Sequence, residues 1–494
     1  MDKKRVTVIG GGLGGMSAAI SLARHPEYDI TIIEKNDHLG GKLNVMVKDG
    51  FSFDLGPSIF TMPHIFEALF TMHNRDMKDY LDLVPVRPHW RNFFEDGTII
   101  DLTARIEDMA AQEAVLEEDV RELQDFYDYT SRIYDFTNRT YFENQIEGVL
   151  AAVKHYPMHR ILKDSDYFHT MHEAVTRYVR NPYLIDILDY FIKYVGSSAY
   201  DAPAILNVLP YVQWAFDLWY VKDGMYNLAK GLAALIAELG ITVMTNTEVT
   251  GAIKGKKGLD ALILDKERRY ESDLVVSNME VIPFYRQITK ESPKRIMPYE
   301  KKYGPACSGF ALHLGVDRTY EVLRHHNFFY STDLKKNFDN IFHNHALSKD
   351  PTIYLVAPMK TDPSLGPKGA EIIKILPHVP TNDPDRTLKG DFETFRTDVL
   401  DKLERLGLTD LRKHVVTEEL WLPETIESTY YSNQGAIYGV VSDRKVNKGF
   451  KTPKHSKYYD NLYFVGGSVN PGGGMPMVVL SGQQVVDQIR RTKR

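Results

Sequence analysis

The chain of 494 residues holds a single cysteine, Cys307. One thiol excludes a disulfide within the chain and any thiolate-rich metal site, and it agrees with a reducing compartment. Long apolar runs are missing too, since no stretch approaches the ~18 residues that a spanning helix requires. The run Val6-Thr-Val-Ile9 breaks into glycines too early to form a signal core. The sequence therefore predicts neither a signal peptide nor a membrane span. Neither sign of charge dominates: the formal net charge is −6 and the pI is near 6.3. That balance gives no general electrostatic reason to expect nucleic acid. Repeats and low-complexity tracts are absent, and the length would accommodate about three average domains.

What is present is concentrated at the two ends of the chain. Arg5-Val-Thr-Val-Ile9 reads as a strand, followed by Gly10-Gly11-Gly12-Leu13-Gly14-Gly15 and a small-residue helix pattern from Met16 to Ala23. Ile30-Thr-Ile-Ile33 is a returning strand, and Glu34 stands at its carboxyl end. This is the G-x-G-x-x-G arrangement for a dinucleotide. Gly10 allows the tight turn, Gly12 lets the backbone approach a pyrophosphate, and Gly15 lets helix and strand pack closely. The helix start offers unpaired N–H groups and a partial positive charge to phosphates. Glu34, roughly 20 residues beyond the glycines, suits the hydroxyls of an adenosine ribose and would repel a 2′-phosphate.

Further along, Gly40-Gly41-Lys42 suggests a second backbone approach with Lys42 beside the phosphates, or simply a solvated turn. Asp49-Gly50 is a hairpin signal, and Phe51-Ser-Phe-Asp-Leu-Gly56-Pro57 runs a strand into a turn whose Gly56 would present backbone to a flat ring. Asp54 is expected to hold loop amides rather than act as a catalytic acid. Asp96-Gly97 marks a second hairpin. From about Ile106 to Val221 the pattern is helical. Residues 145–163 carry an apolar and a basic side, suited either to an anionic membrane surface or to packing on the core. The aromatic-rich stretch Phe191 to Tyr220 reads as core or as an apolar channel. Residues 224–240 form an amphipathic helix with a stop glycine, and strands return after it, so that Val249 would meet an adenine edge. Strands of another sheet are expected at 307–316, 352–357 and 372–376. His169 with His172, His325-His326, and His343 with His345 lack a matching ligand set, so no metal site is assigned.

Near the end, Asn461-Leu-Tyr-Phe-Val465 is a buried-strand pattern. Gly466-Gly467 admits close backbone approach, and the glycines before Met475 lead into a helix expected over 477–490. Its N-terminal dipole would stabilise negative charge on a reduced flavin. Two glycine turns at opposite ends of the chain would then hold opposite ends of one FAD.

With those stretches placed, the chain resembles the carotenoid desaturase and oxidase family of FAD amine-oxidase-like proteins. Gly10 to Ile20, Gly50 to Pro63, Tyr194 to Ala204, Gly435 to Val441 and Asn461 to Met477 carry the likeness. A finer likeness, to members that oxidise chain ends, rests on 190–197, 325–329, 350–356, 408–414 and 466–477. The resemblance implies an α/β architecture with a Rossmann-like FAD-binding domain from segments 1–85, 222–285 and 430–494. It also implies a mainly helical, membrane-facing region at 86–221 and a discontinuous α+β substrate domain at 286–429. The implied activity is oxidation of terminal methyl groups of an acyclic C30 carotenoid, diaponeurosporene or diapolycopene, to aldehydes. The substrate would be dissolved in the membrane, with the protein held peripherally at the inner face of the cell membrane from the cytoplasm. Around FAD the family positions carry over as Gly10, Gly12, Gly15, Glu34, Lys42, Val249, Gly467 and Met475, where Lys42 replaces the arginine of many relatives and keeps charge without bidentate geometry. No base or nucleophile constellation is visible, so no catalytic residue is named. Two other functions fit the same pattern: a carotenoid desaturase, and a non-catalytic prenyl-protein chaperone resembling the Rab GDP-dissociation inhibitors.

Overall fold

The computed structural model describes residues 3–491. At its centre is a five-stranded parallel sheet in the order Leu462–Phe464, Leu274–Ser277, Lys4–Ile9, Tyr28–Ile33 and Thr242–Met244. Its strands come from three distant parts of the chain. The first strand is exposed at its start and buried over Val6–Ile9, as its β-branched run dictates. Helix Leu13–Leu22 is buried along its whole length. It packs against the last helix, Met475–Arg491, at a crossing set by Gly482, where a Cβ would lie 2.6 Å from the Gly14 carbonyl oxygen.

The second large sheet is eight-stranded. Its main path runs Val415–Trp421, Ala311–Val316, Glu371–Val379, Ile353–Val356, His326–Phe329, Trp90–Phe93 and Ile99–Leu102, with the short strand Ser308–Gly309 paired beside Glu371–Val379. The Asp96-Gly97 hairpin thus joins this sheet through a parallel pairing with His326–Phe329. No local pattern announces a pairing between segments so far apart. Between the hairpin and the central-sheet strand Thr242–Met244 lie helices from Glu117–Thr137 to Val208–Phe216. Among the described residues no helix is long and apolar enough to cross a membrane.

Several local expectations change. The last helix begins at Met475, two residues before the expected start. Pro476 is tolerated there because a first-turn N–H has no intrahelical partner to lose. Of the two histidines expected in a loop, His325 lies in a bend just before the strand and His326 is in the strand itself. Both are buried, and His326 opens a central strand. Burial pushes His325 down to about 3, so the ring is neutral and a dry position tolerates it. His343 sits in the helical turn Asn340–Asn344, 2.9 Å from Asp201, and His345 is buried. His169 and His172 do acquire acids, but different ones: Asp166 and Asp189, each at 2.6 Å.

Candidate active-site cleft

One continuous cleft, with about 310 Å³ open to the centres of water molecules, runs from the end of the second parallel strand to the start of the last helix. Its lining includes Gly10, Gly12, Leu13, Glu34, Lys42, Gly56, Val249, Gly467 and Met475. Gly11, Gly14, Gly15 and Gly466 lie behind that wall. Gly15 has room for no side chain, since a Cβ would stand 2.1 Å from the Gly10 carbonyl oxygen, and Gly14 packs on the Gly466 backbone. These glycines let strand, turn and helix close up.

At one end, buried Glu34 accepts the Gly11 N–H at 2.7 Å with one carboxylate oxygen and both the backbone and side-chain N–H of Asn36 at 2.9 Å with the other. Val249 begins strand Val249–Lys254 beside it. In the middle, Leu13 and Gly14 open the first helix, where amides have no intrahelical acceptor. The third N–H of that turn, Gly15, donates to Asn278 Oδ1 at 2.8 Å. Asn278 follows strand Leu274–Ser277, and its Nδ2 lies 2.6 Å from where a Gly466 Cβ would be. One side chain thereby bonds the first glycine turn and packs against the second. The ammonium of Lys42 donates to the Ala436 carbonyl at 2.8 Å and lies 3.6 Å from Glu280 Oε1. Burial pushes the Glu280 carboxyl up, against the pull of Lys42.

At the other end are Gly473, Gly474, Met475, Tyr438, Leu376 and Lys374. A Cβ on Gly473 would meet the Tyr438 carbonyl oxygen at 2.4 Å, and one on Gly56 would meet that of Lys42 at 2.0 Å, so both turns need the bare backbone to keep the cleft open. Lys374 is buried. It donates to the Gly56 carbonyl, to that of Asp54 at 3.1 Å and to Ser58 Oγ at 3.4 Å. Burial pushes its pKa down to about 8. Asp54 accepts the N–H groups of Met225 and Tyr226 at 2.9 and 3.2 Å, so it does hold loop amides.

Sequence reasoning missed Asn278, Tyr438 and Lys374. Asn278 had a signal, because it stands at the carboxyl end of a parallel strand where such sheets bind ligands. Lys374 had none, for its strand reads as plain core.

The donor set fits FAD. A buried carboxylate stands at the ribose end, free helix-start amides lie in the middle, and a glycine-lined slot meets a helix N-terminus at the far end, all in one cleft. Next to Leu376, across the strand pair with Tyr354, lies a packed aromatic cluster: Trp90 is 4.1 Å from Phe191 and 4.5 Å from Phe328, which stacks on Tyr354 at 4.9 Å between ring centres.

Residues 13–490 match the family described as flavin-containing amine oxidoreductase. A 4,4′-diapolycopene oxygenase of Methylomonas sp is 53% identical over 493 residues, covering 99% of this chain and 98% of that one. A 4,4′-diaponeurosporene oxygenase of Staphylococcus haemolyticus is 48% identical over 490 residues, covering 99% and 97%. Among solved structures, an oxidoreductase from Methanosarcina mazei superposes with a TM-score of 0.67 at 15% identity, over 98% of this chain and 100% of that one.

Proposed function

The chain belongs to the flavin-containing amine oxidoreductases, and from that premise we propose that it is an FAD-dependent carotenoid oxygenase converting terminal methyl groups of an acyclic C30 carotenoid to aldehydes. The observation that carries this reading is one dinucleotide-shaped cleft with a buried aromatic cluster packed beside it, in a chain about half identical to two oxygenases over nearly its full length. Bound in the cleft, FAD supplies a two-electron acceptor. The Leu13 helix start would offer its free amides to the diphosphate and Glu34 would accept the ribose hydroxyls. The aromatic rows hold an apolar rod by shape and keep water out, since a polyene offers nothing to hydrogen-bond.

The protein is peripheral to the membrane in this reading. Val153, Met158 and Phe168 are exposed hydrophobics, and Lys154, Arg160 and Lys163 are exposed beside them. Behind them lies a largely apolar cavity of about 190 Å³ lined by Phe136, Ile161, Ile205 and Phe450 among others. Apolar tips ringed by lysine and arginine suit an anionic lipid surface. The chaperone reading is not favoured, because the near-full-length relatives are oxygenases.

Expression in cells that accumulate diaponeurosporene or diapolycopene, with pigment masses measured, tests the function. Gain of terminal oxygen supports it, and products that are only longer polyenes favour the desaturase. Sedimentation with phosphatidylglycerol vesicles tests the surface. Phe168→Asp with Met158→Asp should release the protein, and unchanged binding would exclude this face.

A further inference from the structure

Five lysines are buried among the described residues: Lys193, Lys374, Lys402, Lys451 and Lys454. Four have oxygen acceptors. Lys374 has the Asp54 and Gly56 carbonyls, Lys402 has Asp350 and the Tyr330 carbonyl, Lys451 has Ser442 and the Val440 carbonyl, and Lys454 has Glu147. Lys193, 1% exposed, has no hydrogen-bond or ion-pair partner among the described residues. Its Nζ is instead enclosed by rings, 3.4 Å from the centre of Tyr354, 4.5 Å from Phe328, 5.5 Å from Tyr194 and 5.7 Å from Trp90. An amine buried without an acceptor is costly, so its retention calls for a ligand or a lost charge. Burial, with Lys374 in the same direction, pushes its pKa well down, so the site disfavours the charged form and keeps N–H donors without an acceptor among the described residues.

The position of this amine is set by the sheet. Tyr354 pairs with Leu376 on the neighbouring strand, and Leu376 lines the cleft. Paired residues project from the same face about 5 Å apart, so the cage begins one strand beyond the cleft. From the other side, a Cβ on Gly474 would lie 3.6 Å from the Tyr194 carbonyl oxygen, and Gly196 is packed on the ring of Tyr438. Gly474 and Tyr438 both line the cleft. The lysine therefore stands next to the end of the cleft assigned to the flavin, at the head of the aromatic rows.

We propose that Lys193 is a recognition residue for the oxygen-bearing end of a polyene, its amine donating N–H to the oxygen of a terminal hydroxymethyl or carbonyl group. The inference rests on the carotenoid reading above and deepens it. The rings hold any polyene, whereas the amine distinguishes a chain end that already carries oxygen and retains it beside the cleft for further oxidation. The selectivity comes from an amine that the surrounding rings leave without a hydrogen-bond partner among the described residues.

The test compares the FAD-loaded wild type with Lys193→Met, which keeps the volume and removes the unpaired polar atom. With the flavin held reduced to prevent turnover, binding of diaponeurosporene, with and without one terminal hydroxyl, is followed by quenching of tryptophan fluorescence, to which caged Trp90 contributes. The wild type should prefer the hydroxylated polyene about tenfold, the worth of one buried hydrogen bond. K193M should bind both alike, with unchanged flavin content and an unchanged or higher melting temperature. A second variant, Lys193→Gln, keeps an N–H donor and should retain part of the preference. An undiminished preference in K193M, or no preference in the wild type, overturns the inference. A wild type that yields only longer polyenes in cells defeats the proposed function and leaves the binding comparison standing, so the two failures are distinguishable.

Discussion

Glu34 shows how much one residue can reveal before any fold is known. Its place after a β-branched run and a glycine turn marked it as a ribose ligand, and the structure seats it buried, with Gly11 and Asn36 donating to it. Glu34→Gln weakens hydrogen bonds to a charged group that are worth about 1.5–3 kcal/mol each. FAD retention should therefore fall roughly tenfold or more, read as flavin-to-protein absorbance after gel filtration. Full flavin content would contradict the role. Asp217 makes the opposite point, for nothing nearby in sequence identifies its partners. Burial alone would raise its pKa, but hydrogen bonds from His89 and Arg87 outweigh that and hold it well below the usual carboxylate range. A carboxylate held low in the folded state contributes stability above its unfolded pKa of about 4 and loses it as pH falls. Urea melts of Asp217→Asn between pH 3 and 6 should lose part of the acid-side decline expected of the wild type, by about 1–3 kcal/mol. An unchanged slope would remove Asp217 from the account.

At the scale of elements, glycines that the sequence marks as cofactor contacts divide into two kinds. Gly10, Gly12 and Gly467 line the cleft, while Gly14 and Gly15 allow helix and strand to touch. Gly482 belongs with the second kind and carried no signal, because a glycine inside a C-terminal helix reads as a mere weakness. Gly482→Ala would force the two terminal helices apart at a 2.6 Å contact. The cost should be about 1–3 kcal/mol, seen as a lower Tm with reduced flavin content, and an unperturbed Tm would show that the crossing tolerates a methyl group. Hairpins at Asp49-Gly50 and Asp96-Gly97 were legible from their turns, and both form. The sheet that the second hairpin joins was not legible, because its partner strand His326–Phe329 lies more than 200 residues away.

Over the whole molecule, the first, middle and last segments are held in one parallel sheet, and the cleft crosses all three. A ligand there binds only the assembled state. FAD at 100-fold excess over its Kd should then add about 2.7 kcal/mol to stability, visible as a rise in Tm on adding FAD to apoprotein. A Tm indifferent to FAD would argue against a site shared among the segments.

The sequence by itself determined the nucleotide turn, the acid after it, the second glycine turn before the last helix and the order of most strands. These depend on short-range rules: β-branching, glycine backbone freedom and turn chemistry act within a few residues. Tertiary structure alone decided that Asn278 sits between the two glycine turns, that Lys374 reaches the Gly56 loop, and that Lys193 stands among four rings beside the cleft without a partner among the described residues. The physical reason is that burial and pairing depend on which distant side chains the fold brings together. A lysine in a sequence is a charge until its surroundings show whether water or an acceptor remains to hold it.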